Sequence, residues 1–358
     1  MTVAAALIAG LVPAAASTAA PSVVSSARAS SRPAPSCTTV ATIPVEPVGN
    51  VPTGVAVNPR TNRIYVASIT PSTGFGQVTV ISGNTNTVVA TVPVGDSASG
   101  VAVNPRTNTI YVTFRSSPST GAGAVAVISG KTNAVVATVP VSFGPTGIAV
   151  NPRTNMIYVA NTNQVTHGSK STVSVISGRT NTVIAAILVS SSPVAIAVNP
   201  RTNKIYVISE ESNTVQVISG RTNTVVARVR VGFAPVGVAV NPRTKKIYVT
   251  FDNIAASLSH NKVLVIGGRT NTVVATVPVS IIPGGTAVNP RTNTIYVVGS
   301  PLGVRSGFML VISGRTSNVT ATAPAGGAPF DVAVNPRTRV IYVINDDGNT
   351  VVFTCRRG

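Results

Sequence analysis

Gly54-Val55-Ala56-Val57-Asn58-Pro59-Arg60-Thr61-Asn62-Arg63-Ile64-Tyr65-Val66 is the stretch that decides the fold, because its pattern occurs seven times in a chain of 358 residues. The Asn-Pro-Arg cores of repeats 1 to 7 begin, in this order, at Asn58, Asn104, Asn151, Asn199, Asn241, Asn289 and Asn335. Their spacing is 42 to 48 residues. A strand-rich unit with a period of roughly 40 to 50 residues is typical of one propeller blade.

Each repeat divides into four short segments, which we name strands a to d. In repeat 3 the sequence predicts them at 147–150, 156–160, 172–176 and 182–189. The Asn-Pro-Arg turn joins a to b, and a Ser-Gly-Arg-Thr-Asn turn joins c to d; proline and glycine preset the backbone angles that such turns need. The sequence therefore predicts an all-β fold, a seven-bladed β-propeller with four antiparallel strands per blade.

The last repeat ends before its strand d. The missing strand is found at the other end of the chain, where Thr-Thr-Val-Ala-Thr-Ile-Pro-Val at 38–45 copies Thr-Val-Val-Ala-Thr-Val-Pro-Val at 87–94 of repeat 1. We expect this N-terminal strand to pair in the last blade and to close the ring, which would remove the exposed edge of an open array.

The two cysteines of the chain, Cys37 and Cys355, fall on the repeat template at the positions of Asn181 and Ser177. Those positions flank a tight hairpin turn, so the two Cα atoms should lie within disulfide reach. We expect a Cys37–Cys355 disulfide, and the alternative is two free thiols. A disulfide would indicate an oxidising compartment.

The N-terminal segment has the composition of a signal peptide. An apolar stretch at 3–12 precedes small residues with an Ala-x-Ala site at Ala27 and Ala29, although no basic residue precedes the stretch. We expect a signal peptide and an Ala/Ser/Pro-rich tail at 1–36 and the propeller at 37–358; a disordered tail alone is the alternative. The predicted location is secreted, periplasmic or at the cell surface. No later window offers the ~20 apolar residues of a spanning helix, so we expect no integral membrane span.

Strings such as Tyr158-Val159-Ala160-Asn161, with the flanking Ala-Val-Asn-Pro and Thr-Asn-Thr-Val-Val-Ala-Thr-Val-Pro-Val segments, resemble the YVTN β-propeller repeat family. The resemblance covers about residues 38 to 354. It implies a secreted, periplasmic or surface propeller whose role is non-enzymatic or undefined. Two features depart from the family pattern: Arg fills the third position of the first turn, and Ser usually replaces the Asp before the second. The second change removes acid from the turns and argues against a cation there.

The charges are few but unevenly distributed. Charged residues make up 10% of the chain, against about 25% in an average domain, and the net charge is +19. In a four-stranded blade the a–b and c–d turns lie on one face, and nineteen of the 27 basic residues fall there by this rule. The eight acids map to the opposite face: Glu46, Asp96, Glu210, Glu211, Asp252, Asp331, Asp346 and Asp347.

This polarity predicts a site for anionic polymers such as nucleic acid, a wall polymer or an acidic polysaccharide. The candidate residues are Arg60, Arg106, Arg153, Arg201, Arg243, Arg291 and Arg337 on the a–b turns, with Lys131, Arg179, Arg221, Arg269 and Arg315 on the c–d turns. Arginine binds phosphate and carboxylate groups without reading sequence. The alternative is that duplication copied one arginine-containing turn and the charge serves solubility alone.

The sequence offers little for catalysis. His167 and His260 lie in separate b–c loops, and only Asp252 shares a loop with a histidine. No nucleophile or second carboxylate accompanies them, so we expect no metal site, no cofactor and no catalytic residue. The prediction is a monomeric, non-catalytic binding scaffold whose partner is an anionic polymer or a surface protein. A loop-face hydrolase or lyase, of the propeller lactonase or lyase type, is the alternative.

Overall fold

The computed structural model of the protein describes residues 36–45, 49–116, 121–162, 170–251 and 261–356. Across these ranges the regular structure is 28 β-strands, and no helix is long and apolar enough to cross a membrane. The predicted signal peptide and tail, except Ser36, lie outside the described part of the chain. The strands are β1 (Ser36–Pro44), β2 (Val51–Asn58), β3 (Arg63–Ile69), β4 (Phe75–Ser82), β5 (Thr87–Asp96), β6 (Val101–Asn104), β7 (Thr109–Arg115), β8 (Gly123–Ser129), β9 (Ala134–Val141), β10 (Pro145–Asn151), β11 (Met156–Asn161), β12 (Thr172–Ser177), β13 (Thr182–Leu188), β14 (Pro193–Asn199), β15 (Lys204–Ser209), β16 (Thr214–Ser219), β17 (Thr224–Arg230), β18 (Pro235–Asn241), β19 (Lys246–Phe251), β20 (Lys262–Gly267), β21 (Thr272–Pro278), β22 (Ile282–Asn289), β23 (Thr294–Ser300), β24 (Ser306–Ser313), β25 (Val319–Gly327), β26 (Pro329–Val334), β27 (Val340–Asn345) and β28 (Asn349–Arg356).

Four-stranded antiparallel sheets recur along the chain. Strands β10 to β13 of repeat 3 pair in chain order, and the same order holds in β14–β17, β18–β21 and β22–β25. The four strands predicted in repeat 3 are confirmed, with each boundary within two residues of the expected one. The turns end each strand where the Asn-Pro and Ser-Gly pairs begin, so local sequence is enough to place them.

Repeats 1 and 2 differ from the expectation of separate sheets. Their strands are joined in one eight-stranded sheet, so the described residues form six sheets. The junction is a single pair, Asp96 with Arg115. It arises because β5 extends over ten residues and reaches the end of β7. Each half of this sheet keeps the a-b-c-d order of the other repeats.

The two ends of the described chain lie in one sheet, with the strand order β1-β28-β27-β26. Strand β1 runs antiparallel to β28, and Cys37 stands directly opposite Cys355. The two residues form a disulfide with a Cα–Cα distance of 4.1 Å, so the predicted bridge is confirmed.

The hydrophobic core lies between consecutive repeats. Tyr65 of repeat 1, for example, packs in one cluster with Ile110 and Phe114 of repeat 2. Within the described residues there are seven such clusters, and one of them joins Tyr342 of repeat 7 to Ile64 of repeat 1. Strand b is therefore buried on both faces, which explains its continuous Ile-Tyr-Val sequence.

The asparagine that opens each a–b turn is buried and connects two repeats. In all seven repeats its Oδ1 atom accepts the backbone N–H of the arginine two residues later, at 2.9 to 3.0 Å. In five repeats its Nδ2 atom also donates to the asparagine that ends the turn of the next repeat, at 2.6 to 2.7 Å. These bonds are Asn58 to Asn108, Asn104 to Asn155, Asn151 to Asn203, Asn241 to Asn293 and Asn335 to Asn62.

Two of these asparagines lack the second bond. The Nδ2 atoms of Asn199 and Asn289 are buried and have no hydrogen-bond partner among the described residues. In the following repeat Lys245 and Arg339 occupy the place of the accepting asparagine. Both also have a positive φ, 60° and 67°, a conformation that asparagine tolerates better than lysine or arginine.

We expect Lys245→Asn and Arg339→Asn each to raise the free energy of unfolding by about 1 kcal/mol. Each change supplies an acceptor to a buried donor and places at the positive φ a residue that tolerates this conformation better. Chemical denaturation would measure the gain. The matched control is Lys245→Asn in an Asn199→Ala background, where part of the gain should disappear. An equal gain in both backgrounds would contradict the hydrogen-bond explanation.

Candidate functional site

The a–b and c–d turns lie on the same edge of their sheet. In repeat 3 the backbone N–H of Gly178, in the c–d turn, donates to the carbonyl of Asn155 in the a–b turn at 2.9 Å. Six repeats share this contact, at 2.8 to 2.9 Å: Gly83 to Asn62, Gly130 to Asn108, Gly178 to Asn155, Gly220 to Asn203, Gly268 to Lys245 and Gly314 to Asn293. We call this side of the sheets the turn edge, and the opposite side the loop edge.

The twelve basic residues selected from the sequence all lie on these turns, and all twelve are exposed. Among the described residues none of them forms an ion pair; the ion pair present joins Arg305 to Asp347 at the loop edge. At each a–b turn the Oδ1 atom of the asparagine holds the backbone N–H of the arginine, and the arginine side chain takes no part in this bond. Of the twelve side chains, Arg106 alone makes a hydrogen bond within the described ranges, from Nη1 to the Pro152 carbonyl of the next repeat at 3.5 Å. The arrangement can present guanidinium and ammonium groups to an anion.

Most of the acids described lie at the loop edge, as expected. Glu210 and Glu211 occupy the b–c turn of repeat 4, and Asp346 and Asp347 that of repeat 7. Three exposed aromatic side chains are also found there: Phe75, Phe143 and Phe233. No group of three or more His, Cys, Asp or Glu side chains that could hold a metal occurs within the described ranges. Glu46, His167, Asp252 and His260 lie outside those ranges.

Asp331 does not lie on a connection. It stands inside strand β26, four residues before Asn335, at a position where five repeats have glycine and repeat 4 has Ala195. Aligning the seven repeats with one another is enough to single out this residue, since only repeat 7 has an acid at that position. Asp331 therefore lies inside a strand rather than on a loop, in the half of β26 that begins at the loop edge.

Asp331 faces a cavity of about 770 Å³ that is lined by the starts of the a strands of all seven repeats. Its Oδ1 atom accepts the backbone N–H of Val332 at 2.8 Å, and its Oδ2 atom accepts that of Val55, in repeat 1, at 3.1 Å. Burial raises the pKa of Asp331 to about 6, although the two N–H donors act in the opposite direction. We call this space the axial cavity; Asp346 and Pro301 place its mouth at the loop edge.

Comparison with known proteins identifies the fold and no more. No family model matches the chain, and no curated protein matches it. Among solved structures it is similar to Kuenenia stuttgartiensis Hydrazine Synthase, a β-propeller-containing protein, with a TM-score of 0.69 and 19% sequence identity over 88% of this chain and 97% of that chain. At so low an identity the similarity indicates a propeller-like arrangement of the four-stranded sheets and carries no information on function.

Proposed function

We propose that the protein is a secreted or surface-exposed, non-catalytic β-propeller that binds anionic polymers through its turn edge. The observation that carries this proposal is the set of twelve exposed basic side chains on one edge, none of them in an ion pair within the described residues. Unpaired arginines need not break an ion pair before they bind phosphate or carboxylate groups. The disulfide supports an oxidising compartment.

We also infer that the sheets form seven blades in a closed ring and that the chain is a member of the YVTN repeat family. Three contacts between repeat 7 and repeat 1 support closure: Asn335 to Asn62, Asp331 to Val55, and the packing of Tyr342. Tyrosine packing of the same kind joins the other six pairs of consecutive repeats, and the asparagine bond joins four of those six. With β1 paired to β28, the last blade would have the same four strands as the others.

Binding at the turn edge should depend mainly on charge. The net charge is +19, and the exposed phenylalanines described above lie at the loop edge, away from the basic residues. Base stacking on aromatic rings, which would add a component that salt weakens little, is therefore not expected. Each polymer phosphate neutralised should contribute about 0.7 to 0.9 to the slope of log affinity against log salt.

The experiment replaces Arg153, Arg201 and Arg243 by Gln and measures binding to single-stranded DNA and to polyglutamate over a range of salt. We expect weaker binding and a slope that falls by about 0.7 for each DNA phosphate that the variant no longer neutralises. Because the side chains lie on turns, the melting temperature should stay within a few degrees of the parent value.

The matched control removes three positive charges from the loop edge by changing Arg115, Lys170 and Arg305 to Gln. The net charge then changes equally, and binding should be weakened much less. Equal losses of affinity in the two variants would reject a site at the turn edge. A loss of affinity confined to the control would move the site to the loop edge and favour the hydrolase or lyase alternative.

A further inference from the structure

We propose that the axial cavity binds a small hydroxylated amine, such as an amino sugar, whose ammonium group pairs with Asp331. The cavity opens at the loop edge, so this site is independent of the basic turn edge. Its volume, about 770 Å³, lies within the range of roughly 300 to 1,000 Å³ that is typical of small-molecule sites.

The first argument is the position of the carboxylate. At the equivalent site the other repeats have no side chain beyond a methyl group, because neighbouring backbone is close: a Cβ atom on Gly100 would lie 2.7 Å from the Thr146 carbonyl oxygen. Asp331 is thus the one side chain of this ring of positions that brings charge into the cavity. A carboxylate has about four acceptor sites, and the N–H groups of Val55 and Val332 use two of them. The remaining sites are available to a cation.

The second argument comes from hydroxyl groups on the wall. The side-chain oxygens of Thr53, Thr286 and Ser300 are buried and have no hydrogen-bond partner among the described residues, and all three residues line the cavity. Thr146, which is equivalent to Thr53 and also lines the cavity, donates instead to the Pro193 carbonyl at 2.9 Å. Unpartnered buried hydroxyls are unfavourable. Rotation about χ1 would turn these hydroxyls from the wall towards a ligand with hydroxyl groups of its own.

The same features exclude other ligands. A calcium ion takes six to eight oxygen ligands, often from several carboxylates. Among the described residues, the only carboxylates that line the cavity are those of Asp331 and Asp346. A phosphate or other anion would be repelled by Asp331. A purely apolar amine would fit walls such as Ile148 and Ile196, but it would leave the three hydroxyls without partners. A hydroxylated amine matches the charge, the hydroxyls and the size together.

The experiment titrates the protein with glucosamine and, separately, with glucose, a neutral sugar of similar shape. Ligand-observed NMR and thermal shift are the readouts. We expect glucosamine to bind and to raise the melting temperature, and glucose to bind about tenfold more weakly or not at all. Asp331→Asn should abolish this preference, whereas Glu211→Gln, which removes an exposed acid outside the cavity, should preserve it.

A second variant separates ligand binding from stability. Thr53→Val with Thr286→Val replaces unpartnered hydroxyls by methyl groups of similar shape, so the melting temperature of the free protein should be unchanged or higher. Glucosamine affinity should nevertheless fall several-fold. The proposal is overturned if glucosamine does not bind, if glucose binds equally well, or if neither Asp331→Asn nor the threonine variant weakens glucosamine binding.

Discussion

Replacing Cys37 and Cys355 by serine should lower the free energy of unfolding by about 3 to 5 kcal/mol, the largest effect that we expect from any small change in this chain. The bond joins residues 318 positions apart, so it constrains the unfolded chain over nearly its whole described length. Loop-closure entropy grows with the logarithm of loop length, which places this bridge near the upper limit of the usual range.

Chemical denaturation of the oxidised protein, the reduced protein and the double serine variant would measure this effect. The reduced protein and the serine variant should unfold at similar denaturant concentrations, both well below the oxidised protein. Hydrogen exchange should show β1 opening first, because without the bridge only non-covalent contacts hold this strand: its pairing with β28 and the packing of Ile43 in the core. Unchanged stability on reduction would show that the strand is held by packing alone.

Asn151→Ala should lower the free energy of unfolding by about 3 kcal/mol. The Asn151 side chain is fully buried; it accepts the N–H of Arg153 at 3.0 Å and donates to Asn203 at 2.7 Å. Alanine would leave a cavity and two polar groups without partners, and each unpaired group costs about 1 to 3 kcal/mol. The loss should appear as a lower denaturation midpoint with an unchanged slope.

Asn289→Ala is the matched control for this prediction. Asn289 is equally buried, and its Oδ1 atom accepts the backbone N–H of Arg291 in the same way. Its Nδ2 atom, however, has no partner among the described residues. We expect its replacement to cost about 1 kcal/mol less than that of Asn151, since no bond between repeats is removed. Equal costs would mean that the asparagine bonds between repeats contribute nothing measurable.

The sequence by itself was enough to determine the repeat, its strands and its turns. Alternating and continuous apolar runs set the strands, and Asn-Pro and Ser-Gly pairs end them, so repeat 3 could be divided correctly without a structure. The Cys37–Cys355 pair was also predictable, because both cysteines fall on one hairpin template. These features depend on interactions over a few residues, which a local pattern records.

Only the tertiary structure decided what happens between repeats. From the sequence alone, Asp331 is grouped with the acids of the loops. Only the packing of β26 shows that it lies beside Val55, which is 276 residues away in sequence. In four of the five asparagine bonds the partner lies about 50 residues further on, and in the fifth it lies 273 residues earlier. The unsatisfied Nδ2 atoms of Asn199 and Asn289 therefore become visible only when neighbouring repeats are packed together. A repeat pattern records what each unit shares with the others, whereas the carboxylate and the unpartnered hydroxyls of the axial cavity are differences between units that packing brings together.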